Sequence, residues 1–138
     1  MEHTTLTDTS PLVAIIDAND PQHFRCVTAY TQVQRPLLTT WACLTETTYL
    51  LYRQGGWNLV AGLWRLIEAD KLTLYYPDAL DLERIQTLMT GYKDIPCDFA
   101  DASLIAVAER LDLERIFTLD SHFYAYRQKE TGSFLVIP

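Results

Sequence analysis

The residues of this sequence best suited to chemistry are carboxylates placed where the chain leaves a β-like run. Asp8 follows such a run at residues 4–7, and Asp120 follows another at residues 116–119. Glu46 falls in the first helical turns after a run ending at Trp41. Asp98 and Asp101 open a long apolar helix, three residues apart and therefore on one face. Carboxylates gathered at one edge repel each other and raise their own pKa values unless a cation sits among them. An oxygen-rich set of this kind suits Mg2+ or Mn2+. Two such ions about 4 Å apart can activate a water and stabilise the leaving oxygen of a phosphodiester.

Each acid also has a plainer reading. Asp8 ahead of Thr9-Ser10-Pro11, and Asp120 ahead of Ser121, can simply cap helices. Asp98-Phe99-Ala100-Asp101 has the form of a capping box, its second acid favoured by the helix dipole. Glu46 is harder to place so simply. Its helical neighbours Ala42, Cys43, Tyr49 and Leu50 are uncharged, so a buried carboxylate there would lack a cation unless a metal supplied one. The alternative is a partly exposed glutamate at the margin of an apolar stripe. No cysteine–histidine set competes for zinc, and no glycine-rich loop offers a nucleotide cradle.

The elements that must position these acids alternate between strand and helix. Residues 36–41 read as a strand running directly into a helix over 42–54, ended by Gly55 and Gly56. Apolar residues recur at helical spacing over 57–69. Residues 72–76 are β-like and stop at Pro77, 79–90 are helical up to Gly91, and 98–111 is the clearest helix. Short β-like runs follow at 115–119 and 134–137. Nearer the start, 11–16 reads as a short helix, and Asp20-Pro21 has the form of a cap and first helical proline opening a helix to about Gln32. The pattern predicts an α/β fold with a mostly parallel sheet covered on both faces. Ligands of such sheets bind beyond the carboxyl ends of the strands, where these acids fall. The first strand, 3–7, is polar for a central strand buried on both faces.

Bulk properties bound the reading. A length of 138 residues with 49% hydrophobic and 12% aromatic content predicts one well-packed domain over 1–138. The polar stretch Met1 to Ser10 does not read as a signal peptide, and no apolar run is long enough to cross a membrane. Three cysteines, Cys26, Cys43 and Cys97, lack metal-ligand spacing and fit buried thiols in a reducing, cytoplasmic setting. A net charge of −7 counts against binding a polyanion through lysine and arginine alone. Divalent metal held by acids is one way round that difficulty.

Taken in order, these segments resemble the PIN-domain family, and most closely its VapC-type toxins. The matching stretches are Asp8-Thr9-Ser10, Thr45-Glu46, the run from Asp98 through Asp101-Ala102-Ser103-Leu104 to Ala106, and Thr118-Leu119-Asp120-Ser121-His122-Phe123. The resemblance implies a three-layer α/β/α sandwich with a central, mostly parallel sheet. It implies a homodimer that cleaves RNA with Mg2+ or Mn2+ and is inhibited by a cognate VapB-like antitoxin. Asp8, Glu46, Asp101 and Asp120 match the family's acidic quartet, and Asp98 an additional acid of some members. Thr9 or Ser10, with Thr118, would hold the metal-binding carboxylates or waters from behind.

Arg53, Arg127 and Lys129 are candidates for touching RNA, with scattered solvated charges as the alternative. His122 reads as a structural hydrogen-bonding residue beside Asp120. Trp57, Trp64, Tyr75 and Tyr76 read as core or dimer contacts, with stacking on bases as the alternative, and the apolar helix over 57–67 can bury against a partner such as an antitoxin. A rival reading is a PIN-like module that binds RNA or protein without cutting, motivated by the polar first strand. Phospho-receiver and haloacid-dehalogenase-like readings fail. Asp8 lacks the paired acid, the last strand end carries Asp120 instead of lysine, and Ser10 stands where D-x-D needs an acid.

Overall fold

The computed structural model describes residues 4–129 and 132–138. His3, expected in the first strand, and the opening residues of the polar N-terminal stretch lie outside them. In chain order the elements are β1 (Thr5–Thr7), α1 (Thr9–Ile16), α2 (His23–Gln32), β2 (Leu37–Thr40), α3 (Trp41–Gly55), α4 (Trp57–Glu68) and β3 (Leu72–Tyr75). There follow α5 (Ala79–Gly91), α6 (Phe99–Leu111), β4 (Arg115–Phe117), a short 3-10 turn (Ser121–Tyr124), β5 (Arg127–Gln128), β6 (Gly132–Ser133) and β7 (Leu135–Ile137).

Five strands form one sheet in the order β3-β2-β1-β4-β7, and each neighbouring pair is parallel. Side chains alternate between its faces, as strand geometry requires. Leu6, Leu38 and Ile116 face a core shared with α5, α6, Phe123 and Tyr126. Leu37, Leu72 and Phe117 face a second core built with α1–α4. Two cores on opposite faces make the three-layer α/β/α sandwich expected from the sequence.

The polar character of β1 has a local explanation. Thr5 and Thr7 are fully buried in the central strand. Their hydroxyls donate to the carbonyls of Gln34 (2.7 Å) and Thr5 (2.9 Å), and Thr39 donates to the Thr7 carbonyl at 2.8 Å. Among the described residues no buried side-chain nitrogen or oxygen lacks a partner. Threonine thus keeps its β-branched fit to the strand while its hydroxyl is satisfied.

Two elements differ from the sequence reading. The helix expected from Asp20 begins at His23: Asp20 Oδ1 accepts the Gln22 N–H at 2.8 Å, closing a turn ahead of the helix instead of capping it. The antiparallel β5–β6 pair is only two residues per strand, too short to carry a periodic signal. The three cysteines are free and buried, as expected.

Candidate metal centre

The strand order reverses direction at β1. Its successor β2 lies on one side, while β4 pairs on the other through Leu6–Ile116 and Thr7–Phe117. A cleft opens beyond the carboxyl ends of strands at such a switch point. Asp8 leaves β1 there, with its backbone N–H bonded to the Phe117 carbonyl at 2.9 Å. Asp120 leaves β4 three residues beyond its end, and Asp101 arrives in the first turn of α6.

One carboxylate oxygen from each of Asp8, Asp101 and Asp120 lies within 4.8 Å of the others. Each of these acids also does the plainer task weighed from sequence. Asp8 accepts the Thr9 N–H and caps α1, while Asp120 accepts the His122 N–H and caps the 3-10 turn. Asp98 and Asp101 form a capping box at the start of α6. The two readings are therefore not alternatives: a hydrogen bond from helix backbone to one oxygen fixes the carboxylate's direction while the acid still belongs to the cluster.

Asp8 is only 6% exposed. Its Oδ1 takes the Thr9 N–H at 2.7 Å and its Oδ2 the Thr118 hydroxyl at 2.7 Å. The buried Cys43 thiol lies 3.9 Å from Oδ1. Burial, together with the charges of Asp120 and Glu46, pushes the Asp8 carboxyl up to about 6, against the lowering effect of its two donors. Burial and the neighbouring Asp98 and Asp8 charges push Asp101 up to about 7. Several acids elsewhere in the fold have cations. Arg84 pairs with Glu109 at 2.7 Å, and Arg110 bridges Asp78 (2.8 Å) and Asp81 (2.9 Å). Among the described residues the only ion-pair partner of the three clustered acids is His122, 3.2 Å from Asp120. Hard oxygen ligands, mutual repulsion and no lysine or arginine counter-charge fit a divalent cation of the Mg2+ or Mn2+ type.

The other residues singled out from sequence are placed as follows. Glu46 is exposed on α3 and lies outside the three-acid cluster, near enough for its charge to act on Asp8. Asp98 is exposed, with its Oδ1 engaged by the Asp101 N–H at 2.8 Å, and it too lies outside the cluster. Thr118 does more than its position suggested: besides donating to Asp8 it accepts the Asp120 N–H at 3.0 Å. Thr9 reaches Asp8 through its backbone, and its hydroxyl donates to the Cys43 carbonyl at 3.4 Å. Ser10 is half-buried beside them in α1.

Arg127 is tied to the carbonyls of Tyr124 and Tyr126, and Lys129 to Asp112. Arg53 lines an open groove on α3 with Trp41, Tyr49 and Tyr52. Trp57, Trp64 and Tyr76 are exposed, outside both cores. Sequence reasoning passed over Tyr126, whose hydroxyl reaches Asp101, and Cys43 beside Asp8. The only available signal for Tyr126 is its three-residue spacing from Phe123.

Acids gathered at the switch point of a parallel sheet, with no lysine or arginine partner among the described residues, define an α/β protein with a candidate metal site. The family model described as PIN domain matches residues 5–129, and the chain belongs to that family. A Mycobacterium tuberculosis protein (strain ATCC 25618 / H37Rv), Ribonuclease VapC26, is 29% identical over 134 residues, covering 96% of this chain and 99% of that protein. The crystal structure of Mycobacterium tuberculosis VapC20, described as a sarcin-ricin loop cleaving toxin, matches with a TM-score of 0.79 at 23% identity. It covers 88% of this chain and 93% of VapC20. VapBC2 from Rickettsia felis, bound to a DNA fragment from its promoter, matches with a TM-score of 0.68 at 10% identity, over 98% of this chain and 99% of that one. The resemblance read from the sequence and the three-layer fold it implied are both borne out. No helix among the described residues is long and apolar enough to cross a membrane.

Proposed function

We propose that this chain is a metal-dependent endoribonuclease, the VapC-type toxin of a type II toxin–antitoxin pair. The observation that carries the reading is the meeting of Asp8, Asp101 and Asp120 within 4.8 Å at the sheet's switch point, with no lysine or arginine partner among the described residues. These three acids hold Mg2+ or Mn2+, with Glu46 and Asp98 contributing from the rim once RNA and metal are present. The names of the relatives supply the substrate class, RNA, and the partner class, a VapB-like antitoxin.

A bound divalent ion supplies charge stabilisation at phosphorus and activation of the attacking water. The protein's own residues make that possible. Asp8 is fixed by α1 and Thr118, Asp120 by the 3-10 turn, and Asp101 by α6, so little reorganisation is needed when the ion arrives. Thr118, and Thr9 through its N–H, orient the acids from behind. Where the pH lies below about 6 for Asp8 and about 7 for Asp101, the bound protons limit repulsion in the metal-free state and are released on metal binding.

A second copy of the chain is the natural cover for the exposed apolar surface of α3 and the β3–α5 corner. Trp41, Tyr76, Leu80 and Leu82 are exposed at the corner, beside an apolar groove of about 370 Å3 lined in part by Trp41, Pro77, Leu82 and Phe99, while Tyr49 and Tyr52 are exposed along a separate groove on α3. The outer face of α4, with Trp57 and Trp64 exposed, suits the antitoxin. Free buried thiols fit a cytoplasmic setting.

The deciding experiment incubates purified protein with RNA, with and without Mn2+ or Mg2+, beside Asp8→Asn. Cleavage that needs metal and vanishes in a folded Asp8→Asn variant is expected. A folded Asp8→Asn protein that still cuts, or a wild type that binds RNA without cutting it, would sink the reading.

A further inference from the structure

We propose that Tyr126 is a positioning residue for the metal-binding carboxylate of Asp101. The inference rests on the reading of Asp8, Asp101 and Asp120 as metal ligands. Tyr126 is fully buried, at 0% exposure, just past the 3-10 turn that Asp120 caps, and its backbone N–H donates to the His122 carbonyl at 3.1 Å. Its ring is held edge-on by Tyr92 at 5.1 Å and by Phe123 at 5.0 Å between centroids. The ring is therefore locked, and the position of its hydroxyl is set by packing.

That hydroxyl lies 2.7 Å from the Pro96 carbonyl and 3.3 Å from Asp101 Oδ2. A buried phenol needs one acceptor, and Pro96 alone meets that need. Asp101 Oδ2, an acid of the cluster, shares that single hydrogen as the longer arm of a bifurcated bond. The Asp98 N–H, at 3.4 Å, reaches the same Oδ2, while Oδ1 accepts no hydrogen bond among the described residues. The Asp98 N–H and the shared phenolic hydrogen, both on Oδ2, restrict rotation of the carboxylate and leave the other oxygen without a protein donor among the described residues. The same side chain follows Asp120 by six residues, so it also ties the Asp120 segment to the start of α6. Donors behind a metal ligand fix its orientation, and their loss costs about 10- to 100-fold in metal affinity.

The test is Mn2+ affinity of the whole chain by calorimetry, with no RNA present. Tyr126→Phe keeps the ring and is expected to weaken Mn2+ binding by about tenfold or more. Tyr92→Phe removes a hydroxyl from the same ring cluster, one bonded only to the Arg127 backbone, and is expected to bind as wild type does. A Tyr126→Phe protein that melts like wild type and binds Mn2+ within about twofold of it overturns the proposal, being well short of a lost supporting donor. A wild type that binds no Mn2+ overturns the reading of the acids as well. Should Tyr126→Phe fail to fold, tyrosine ultraviolet absorption decides. Mn2+ is expected to shift it in wild type and Tyr92→Phe but not in Asp101→Asn, and no shift in wild type overturns the proposal.

Discussion

Thr118 donates its hydroxyl hydrogen to Asp8 Oδ2 at 2.7 Å, joining residues 110 positions apart in the chain. The same hydroxyl oxygen accepts the backbone N–H of Asp120 at 3.0 Å. One buried side chain thus sets the spacing of two acids from neighbouring strands. Thr118→Val removes both bonds and leaves a buried carboxylate oxygen without its donor. The expected results are a stability loss of about 1–3 kcal/mol and Mn2+ affinity about 10-fold or more weaker, with Thr118→Ser close to wild type. Denaturant unfolding and calorimetry check this. Equal Mn2+ affinity in Val and wild type would remove Thr118 from the site.

Asp8 makes the metal-free fold pH-sensitive, and the sign follows from its raised pKa. Its carboxyl titrates at about 6 in the folded chain against an ordinary 3.8. Between those values the folded state binds more protons than the unfolded state, so stability falls as pH rises through the window. The loss is on the order of 3 kcal/mol for a group this buried. Asp8→Asn carries no such charge. It is expected to be more stable than metal-free wild type near pH 7.5, an advantage that vanishes near pH 4. Thermal melts of the two proteins across that range decide it, and a less stable Asp8→Asn at the higher pH contradicts the burial argument.

Metal binding should show the complementary dependence. Asp101, at about 7, and Asp8, at about 6, must both give up protons to hold a cation. Mn2+ affinity is expected to fall as pH drops below about 7, by about tenfold per pH unit for each proton displaced. Calorimetry in buffers of different ionisation enthalpy counts those protons directly. Affinity that is flat from pH 5 to 8 would exclude both acids as ligands.

The exposed apolar corner of β3 and α5 predicts a solution dimer. Sedimentation should give twice the 15.9 kDa chain mass for wild type. Leu80→Asp combined with Tyr76→Asp places charge at two exposed positions outside both cores and is expected to give a folded monomer. A dimer that survives both changes puts the interface elsewhere.

Much of the fold was legible because period and punctuation agree. Thr40 ends β2 and caps α3 by accepting the Cys43 N–H at 3.2 Å, so the strand-to-helix passage is written in one residue. Gly56 stands at positive φ between α3 and α4, where the sequence placed a break. Asp20-Pro21 misled because the aspartate closes a turn three residues before the helix, a distinction local sequence does not carry. Glu46 drew attention through its uncharged neighbours, yet it faces solvent, since which side of α3 is covered depends on helices far away in sequence.

Acids at strand ends, caps at helix starts and the absence of a competing metal motif are properties of short segments, and the sequence alone determined them. Short segments also set the alternation of strands and helices, through side-chain period and turn chemistry. Which acids meet was decided only by tertiary structure. Pairing β4 beside β1 brings Asp120 to Asp8, and packing α6 over the sheet brings Asp101 to both. The same packing buries Asp8, raises its pKa and carries Thr118 and Tyr126 to the acids they hold. Desolvation and through-space charge depend on neighbours across the fold, and no local pattern encodes them.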